Sequence, residues 1–363
     1  PGFDTELNPG TRAHDDLRAQ HIAVLEHSFA AEASFYGFDT KRGLKHSPVV
    51  AGRISVQSIA ALAGLPMVRA IEFDLPVEAA RTEGGGLISA FELQDLGGDG
   101  EGIGVAVIDT GIDYRHPDLA PNLWSNAAER TGTPGVDDDG NGYVDDVYGI
   151  DVANDDSDIM DGHGHGTHVA GTIGALDNDI GVVGVAPGAR IWAVKVLSSS
   201  GSGYSSQIIA GIDWVAANAA TIEVANMSLG GSGFSQAEYD AIQGAVNAGV
   251  AFAVHAGNDD ADADNYSPGG FDNVLSVSAL ADFNGLPGGG AAPTCRTDVD
   301  DTLADFSNWG PEVDIAAPGV CILSTYPLEQ GEYGTISGTS MASPHVAGAL
   351  ALLASRNNPA NAT

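Results

Sequence analysis

Positive charge is scarce in this sequence. Its 363 residues include 49 Asp and Glu but only 14 Lys and Arg, for a formal net charge of −35, and lysine occurs only at Lys41, Lys45 and Lys195. A surface this acidic repels nucleic-acid phosphates and anionic membranes, so we expect neither as a partner. Acidic residues spread along a chain with so little lysine fit a protein that works in high salt, although a calcium-rich or a cold setting would account for them too.

Long apolar runs are also missing. No stretch of about 18 or more apolar residues occurs, so the sequence predicts no membrane-spanning helix. The chain begins at Pro1, and no charged segment followed by an apolar one comes after it. We therefore expect a processed or trimmed product.

Cysteine is almost absent, with only Cys295 and Cys321. In a secreted chain two cysteines most simply form one disulfide. Both lie in sequence rich in Gly, Pro and Asp, where a cross-link would stabilise a weakly held segment. The alternative is two separate buried thiols.

Glycine and apolar residues, in contrast, are plentiful. With 49 glycines and 43% hydrophobic residues, the chain can bury a sizeable core in one large domain plus a small one. Short apolar runs typical of buried strands alternate with helical stretches. The runs lie at 104–109, 191–197, 224–227, 250–254 and 274–277, and the helical stretches at 166–176, 205–219 and 235–248. This alternation predicts an α/β fold with a doubly wound, mostly parallel sheet, and Asp109 ends a strand, where such sheets carry their sites.

Residues 1–80 have a different pattern. Apolar periodicity predicts a helix at 15–29, a strand at 49–55, a second helix at 56–63 and a second strand at 68–73. Together they form a small α+β unit. A glycine-rich joint, RTEGGG at 81–86, follows it.

Three motifs carry candidate catalytic residues. They are VIDTGID at 107–113, GHGHGTHVAGT at 162–172 and GTSMASPHVAG at 338–348. Together, and in this order, they resemble the active-site motifs of the subtilisin-like serine proteases, and the resemblance runs from about Leu87 to the end of the chain. It implies a secreted serine endopeptidase with a subtilisin-like fold, in which Asp109, His165 and Ser340 form the catalytic triad.

These residue types suit acyl transfer. The hydroxyl of Ser340 is a weak nucleophile until a base removes its proton, and the ordinary pKa of histidine suits His165 to that task near neutrality. A buried Asp109 would orient the imidazole and stabilise its charged form. We expect Ser340 at a helix N-terminus, where backbone N–H groups favour the developing oxyanion.

The other histidines of these motifs and one asparagine need separate interpretation. The family pattern makes His165 the base, and we expect His168 to be a packed, hydrogen-bonded residue. His163 is an additional residue, for which a metal site is the alternative. Asn258 resembles the family's side-chain oxyanion donor. His255 replaces a residue that is usually small in that stretch, and we give it no catalytic role.

Two segments, 200–203 and 226–231, resemble the family's two edges between which a substrate strand docks. Pairing through the main chain gives affinity with little sequence selectivity, and glycines allow the backbones to approach closely. The candidate substrate-binding residues are Gly201, Ser202, Gly203, Ser228, Leu229 and Gly230. The resemblance implies a monomeric enzyme whose partners are protein and peptide substrates. The alternative is two surface loops.

The segment 176–182 resembles the family's high-affinity calcium loop. An oxygen-only ligand set of this size suits Ca²⁺. The ligands implied are the backbone carbonyls of Leu176, Ile180 and Val182 and the side chains of Asn178 and Asp118.

A second segment, 137–146, resembles an EF-hand calcium loop. Its candidate ligands are Asp137, Asp139, Asn141, the Tyr143 carbonyl, Asp145 and Asp146. Tyr148 stands where the twelfth loop residue is usually Glu, so Asp146 would substitute for it. No flanking helix pair is evident, so we expect a stabilising loop and not a switch. The alternative is a charged, mobile loop, although carboxylates so close together would repel strongly without a cation.

Residues 50–78 resemble the end of a subtilisin-type prodomain, which assists folding and inhibits the enzyme from within the substrate cleft. The resemblance implies that residues 1–80 form a ferredoxin-like α+β prodomain and residues 81–363 the peptidase domain. Autoprocessing is expected near Ala80–Arg81, with Val77 in an apolar pocket and Ala80 in the primary pocket. We also expect both ends to be shortened, since residues 1–14 barely supply a first prodomain strand and few residues follow Ser340.

Two other functions are compatible with parts of the sequence. A catalytically silent binding module of the subtilase fold would be expected to lack a triad residue or Asn258, and none is lacking. A calcium-binding structural protein is supported only by the two candidate calcium loops. The sequence therefore favours a calcium-stabilised serine endopeptidase made as a zymogen.

Overall fold

A mostly parallel sheet is the centre of this computed structural model, which describes residues 12–43, 48–72, 76–79, 98–154, 156–284 and 289–357. The strands are β1 (Asp39–Gly43), β2 (Val50–Arg53), β3 (Pro76–Ala79), β4 (Gly104–Asp109), β5 (Gly149–Asp151), β6 (Arg190–Lys195), β7 (Ser202–Tyr204), β8 (Val224–Met227), β9 (Leu229–Ser232), β10 (Ala251–His255), β11 (Tyr266–Ser267), β12 (Leu275–Ala281), β13 (Thr302–Leu303), β14 (Ile315–Pro318), β15 (Ile322–Thr325) and β16 (Tyr333–Ile336). The α-helices are α1 (Arg12–Ala33), α2 (Ile59–Ala63), α3 (Ala127–Thr131), α4 (His165–Gly174), α5 (Ser205–Ala217), α6 (Gln236–Asn247) and α7 (Thr339–Asn357).

The main sheet has the strand order β13-β12-β10-β8-β4-β6-β5, and β14 also pairs with β12. Its pairings are parallel except for the one between β12 and β13. Each of the five predicted apolar runs overlaps a strand of this sheet. The prediction of a doubly wound, mostly parallel sheet is therefore confirmed.

Two hydrophobic cores cover the two faces of the main sheet. Successive side chains of a strand point to opposite faces, so in β4 Val105 and Val107 join one core while Ala106 and Ile108 join the other. Helices α4 and α7 contribute to the first core, and α5 and α6 to the second. Because both faces are covered, every residue of β4 is buried, and the strand reads as a continuous apolar run.

A smaller sheet has the order β11-β9-β3-β7. Strand β3 lies between β7 and β9 and pairs antiparallel with both. Val77 is opposite Gly203, and Ala79 is opposite Leu229. A segment from the N-terminal part of the chain therefore occupies the space between the two edges that the sequence assigns to substrate.

The N-terminal part contains α1, the antiparallel hairpin β1–β2 and α2, around a small core of Ala33, Leu62 and Leu65. The helix predicted at 15–29 is confirmed as the longer α1, and the strand predicted at 49–55 contains β2. The helix predicted at 56–63 is a 3-10 turn that continues into α2.

The strand predicted at 68–73 is wrong for its described residues. Residues 68–72 form no strand, and Phe73 lies outside the part of the chain that the structure describes. The Val68 N–H donates to the Leu65 carbonyl in a turn, and among the described residues β2 pairs only with β1. Apolar alternation permits a strand, but a strand also needs a neighbour to share its hydrogen bonds, and no described strand pairs with residues 68–72.

A buried ion pair ties the carboxyl ends of β5 and β6 together. The ammonium nitrogen of Lys195 is 2.6 Å from Asp151 Oδ2, with side chains 8% and 0% exposed. In the sheet register, Lys195 also stands opposite Asp109 of β4. The Asp158 carbonyl accepts a second hydrogen bond from Lys195. This pair therefore supports the edge of the sheet at which Asp109 lies.

We expect Lys195→Met to lower the free energy of unfolding by about 3–5 kcal/mol, because it leaves the Asp151 carboxylate buried without a counter-charge. Lys41→Met is the matched control. Lys41 pairs with Asp39 at the same 2.6 Å, but with side chains 53% and 62% exposed, so its loss should cost less than about 1 kcal/mol. Denaturant unfolding of both variants measures the difference, and equal losses would contradict a role for burial.

Candidate active site

Asp109 and His165 meet at the carboxyl edge of the main sheet. Asp109 is the last residue of β4 and His165 the first of α4, and both side chains are buried. His165 Nδ1 lies 2.8 Å from Asp109 Oδ1. The close approach needs Gly166, since a Cβ there would collide with the Gly111 carbonyl. The pair predicted from the motifs is thus hydrogen-bonded, and the contact would hold the ring by one nitrogen.

Asp161 organises the N-terminus of α4 and was not predicted from the sequence. Its buried carboxylate accepts hydrogen bonds from the backbone N–H groups of His163, Gly164 and Thr167 and from the hydroxyls of Thr110 and Thr167. Burial raises the pKa of Asp161, and these hydrogen bonds oppose that shift. A carboxylate at a helix N-terminus also interacts favourably with the helix dipole. The sequence feature that could have predicted this role is the position of Asp161, an acidic residue directly before the GHGHGTH motif.

Ser340 is the second residue of α7 and is buried. It therefore lies at a helix N-terminus, as predicted. Its hydroxyl donates to the Ser228 carbonyl at 3.1 Å, and the Ser228 hydroxyl donates to the Ser340 carbonyl at 2.7 Å. Ser228, predicted as a substrate-edge residue, thus also fixes the position of Ser340.

Asn258 follows β10 and is oriented by Thr339. Its side-chain oxygen accepts from the Thr339 backbone N–H at 2.9 Å and from the Thr339 hydroxyl at 3.0 Å. With the oxygen engaged in this way, the amide NH₂ is the group left to donate to a ligand. The structure thus brings the Asn258 amide beside the residue that precedes Ser340.

The other histidines differ in their surroundings. His168 is fully buried, its Nε2 lies 2.9 Å from the Ile322 carbonyl, and burial lowers its pKa to about 3, so the prediction of a packed residue is confirmed. The ring of His163 lies against Gly201, where a Cβ would come within 2.8 Å of its Nε2. His255 is buried, and its Nδ1 lies 3.3 Å from the Thr339 hydroxyl.

The two candidate substrate edges face each other across β3. Ser202 and Gly203 belong to β7, and Leu229 and Gly230 belong to β9. Gly201 precedes β7 with a φ of +74°, a value that favours glycine. Each edge therefore offers a backbone row with which an extended chain can pair, and β3 pairs with both rows.

The segment 176–182 surrounds the buried carboxylate of Asp118. The Asn178 amide donates to Asp118 Oδ1 at 2.9 Å, while the Val182 N–H and the Tyr333 hydroxyl donate to Oδ2. The Leu176 N–H donates to the Asp118 backbone carbonyl. The structure thus brings Leu176, Asn178 and Val182 to Asp118, together with Tyr333, which was not predicted. The N–H of Ile180, another predicted ligand residue, donates to Asn178 Oδ1.

The second candidate loop contributes only some of its predicted carboxylates to a cluster. Oxygens of Asp139 and Asp146 lie within 4.8 Å of each other and of Glu129 from α3. Burial, the main cause, together with Asp139 and Glu129 raises the pKa of Asp146 to about 6, against hydrogen bonds from Asn126 and Asn141. Glu129 was not predicted, because it precedes the loop and belongs to a separate helix.

The other predicted acids of this loop, Asp137 and Asp145, accept hydrogen bonds from backbone N–H groups. Asp137 accepts from the N–H groups of Gly140, Asn141 and Gly142, which hold its pKa below the ordinary range. The Asp145 carboxylate accepts from the Gly135 N–H. The side chain of Asn141 donates to Asp139 and Asp146, and its oxygen accepts from the Tyr143 N–H.

Cys295 and Cys321 form a disulfide, with their Cα atoms 6.0 Å apart. The predicted pairing is therefore confirmed, and the alternative of two buried thiols is wrong.

Among the described helices, none combines the length and apolar character needed to cross a membrane.

Comparison with known proteins places these features in a family. The profile of the subtilase family matches residues 100–363. Subtilisin E of Bacillus subtilis (strain 168) is 38% identical over 327 residues, which cover 88% of this chain and 74% of that protein. The alkaline serine exoprotease A of Vibrio alginolyticus is 42% identical over 260 residues, or 72% of this chain and 40% of that protein.

A solved structure gives the same result. The crystal structure of a cold adapted subtilisin-like serine proteinase matches with a TM-score of 0.56 and 41% identity, covering 72% of this chain and 78% of that one. The family match spans most of the chain and contains Asp109, His165, Asn258 and Ser340. This chain therefore belongs to the subtilase family and is a serine endopeptidase.

Proposed function

We propose that this endopeptidase is made as a secreted, calcium-stabilised zymogen and that it cleaves peptide bonds through an acyl-enzyme on Ser340. The observation that carries the proposal is the position of β3, a strand of the chain's own N-terminal part, between the two candidate substrate edges. A strand held there blocks the cleft in the way that a substrate would fill it.

In the proposed reaction, the Ser340 hydroxyl attacks the carbonyl carbon of the peptide bond while His165 Nε2 takes the hydroxyl proton. His165 then gives that proton to the departing amine, and water releases the acyl group by the same steps in reverse. Asp109, 2.8 Å from Nδ1, orients the ring and stabilises the imidazolium. The Asn258 amide and the N-terminus of α7 donate to the oxyanion.

Residues 1–80 act as the prodomain in this proposal. Glu72 accepts a hydrogen bond at 3.1 Å from Ser235, which caps α6, and Arg69 pairs with Asp240 of the same helix at 3.0 Å. The alignment with subtilisin E covers 88% of the chain and so extends into residues that precede the family domain. Cleavage near Ala80–Arg81, just beyond β3, would separate the two parts; both residues lie outside the described ranges.

Calcium would bind at the two acidic sites. The first has a wholly buried carboxylate, Asp118, and the ligands that the family resemblance implies beside it are all oxygen atoms, which suits Ca²⁺. At the second, Glu129, Asp139 and Asp146 lie close together, and among the described residues no Lys or Arg forms an ion pair with any of them. A divalent cation would remove this repulsion and stabilise the folded chain.

Secretion is supported by the disulfide, since such bonds persist in oxidising compartments.

A serine-directed fluorophosphonate probe tests the nucleophile. We expect the processed enzyme to be labelled, Ser340→Ala to lose all labelling, and Ser355→Ala, a buried serine on the same helix, to keep it. Asn258→Ala should stay folded and labelled but lose about 10²–10³ in kcat, a magnitude that comes from the equivalent donor of a subtilisin. Labelling that survives Ser340→Ala would contradict the assignment.

Sequencing the N-terminus of the active enzyme tests the processing site. Because β3 ends at Ala79 between the substrate edges, we expect the mature chain to begin within a few residues of Arg81. Ser340→Ala should remain unprocessed when it is expressed alone and separated from other proteases. A mature chain that begins beyond Leu93, or processing of Ser340→Ala under these conditions, would rule out this route.

Metal removal tests the calcium sites. EDTA should lower the Tm, and added Ca²⁺ should restore it, because a ligand that binds only the folded state at 100 times its Kd stabilises that state by about 2.7 kcal/mol. Asp118→Asn and Asp146→Asn should each weaken the Ca²⁺ response. Asp177→Asn, an exposed acid inside the segment 176–182, is the control and should not. A Tm that does not respond to EDTA would refute both sites.

A further inference from the structure

We propose that His255 is a positioning residue that holds the oxyanion-binding amide of Asn258 in register with the substrate edge β9, acting through Thr339. The proposal rests on the proposed roles of Ser340 and Asn258. It goes beyond them because neither the reaction steps nor the family motifs require a histidine at this place.

The first support is a chain of contacts from His255 to Asn258. His255 ends β10 and is 7% exposed. Its Nδ1 lies 3.3 Å from the Thr339 hydroxyl oxygen, which in turn lies 3.0 Å from Asn258 Oδ1. The Gly257 N–H also donates to this hydroxyl at 3.3 Å. His255 is thus one of the groups that fix the side chain of Thr339.

The second support is on the other side of the ring. The ring lies against β9, since a Cβ at Gly230 would come within 2.6 Å of His255 Nε2. Leu229 and Gly230 belong to β9, and they stand opposite Ala79 and Glu78 of β3. The imidazole therefore spans the gap between the strand that pairs with an extended chain and the residue before Ser340.

The chemistry of a neutral imidazole fits the contact with Thr339. Burial lowers the pKa of His255 to about 4, and the nearby His165 lowers it further while Asp109 opposes this, so the ring is neutral near pH 7. A neutral ring has one N–H donor and one acceptor nitrogen. The Thr339 hydroxyl gives its one proton to Asn258 Oδ1, so its oxygen accepts from His255 Nδ1–H, and Nε2 is the acceptor nitrogen of the ring.

Loss of the ring should act mainly on turnover. Without His255, the Thr339 hydroxyl loses a partner, and the contact that joins it to β9 is gone. The Asn258 amide is then less firmly aimed at the oxyanion, whereas most backbone pairing with substrate remains. Because a small misplacement of a catalytic group slows the reaction more than it weakens binding, we expect kcat to fall while KM changes little.

A double-mutant cycle tests the proposal. Processed enzymes carrying His255→Ala, Asn258→Ala or both are compared on one peptide substrate, with active sites titrated by the fluorophosphonate so that only folded enzyme is counted. We expect His255→Ala to lower kcat about tenfold in the wild-type background, with KM changed less than twofold. In the Asn258→Ala background, the same substitution should lower kcat less than twofold. An equal fall in both backgrounds, or no fall in the first, would overturn the proposal.

His345→Ala is the matched control. His345 is also 7% exposed, burial lowers its pKa to about 4, and it lies on α7 with Nδ1 2.7 Å from the Met341 carbonyl. Within the described part of the chain, its side-chain hydrogen bond runs to Met341 and not to Thr339 or Asn258, so its replacement should lower the Tm without changing kcat per titrated site. A tenfold loss of kcat in this variant would show that loss of any buried imidazole near Ser340 is enough, and would overturn a specific role for His255.

Two further substitutions keep the test decisive if His255→Ala does not mature. Gln can donate to the Thr339 hydroxyl oxygen, whereas Leu keeps only the bulk, so kcat of His255→Gln should exceed that of His255→Leu several-fold. Equal values would overturn the proposal. Failure of the underlying function looks different, since it would appear as unlabelled wild-type enzyme or as an Asn258→Ala variant with unchanged kcat.

Discussion

The site depends on the parallel direction of the strands in the main sheet. Because parallel strands end at one edge, the end of β4 can meet the helices that return to that edge, and both Asp109 and His165 occupy such ends. Their 2.8 Å hydrogen bond is buried, so water does not compete with it. The two cores on either face of the sheet hold this edge in place, and the Lys195–Asp151 pair supports it from the neighbouring strands.

The excess of acid shapes how carboxylates are satisfied in this chain. With 49 acids and 14 Lys and Arg, most carboxylates cannot have a cationic partner. Many accept backbone N–H groups instead, as Asp161 does at the start of α4 and Asp137 does in its own loop. Such bonds stabilise a charge locally, but they do not cancel the repulsion among Glu129, Asp139 and Asp146. That remaining repulsion is the physical reason to expect a cation there.

Sequence reasoning succeeded where a local pattern carries the information. The buried run 224–227 coincides with β8, the motifs placed Asp109 and His165 in contact, and two cysteines could form only one intramolecular pair. It failed where a residue acts across the fold. Glu129 joins acids of a later loop from its own helix, and the contacts of His255 run to β9 and α7, which no spacing within its motif reveals. Alternation alone also suggested a strand at 68–73, although pairing depends on a neighbour that the pattern does not contain.

The positions of the proposed nucleophile, oxyanion donor and substrate edge are fixed by reciprocal contacts more than by any single loop. Ser228 and Ser340 each bond the other's carbonyl through their hydroxyls, which ties the start of α7 to the residue before β9. Thr339 ties the same helix to Asn258, and His255 lies between Thr339 and β9. A chain bound along β9 is therefore held relative to Ser340 and Asn258 together. Since acyl transfer requires attacking and stabilising groups to be aligned at once, such a closed set of contacts preserves their alignment better than independent supports would.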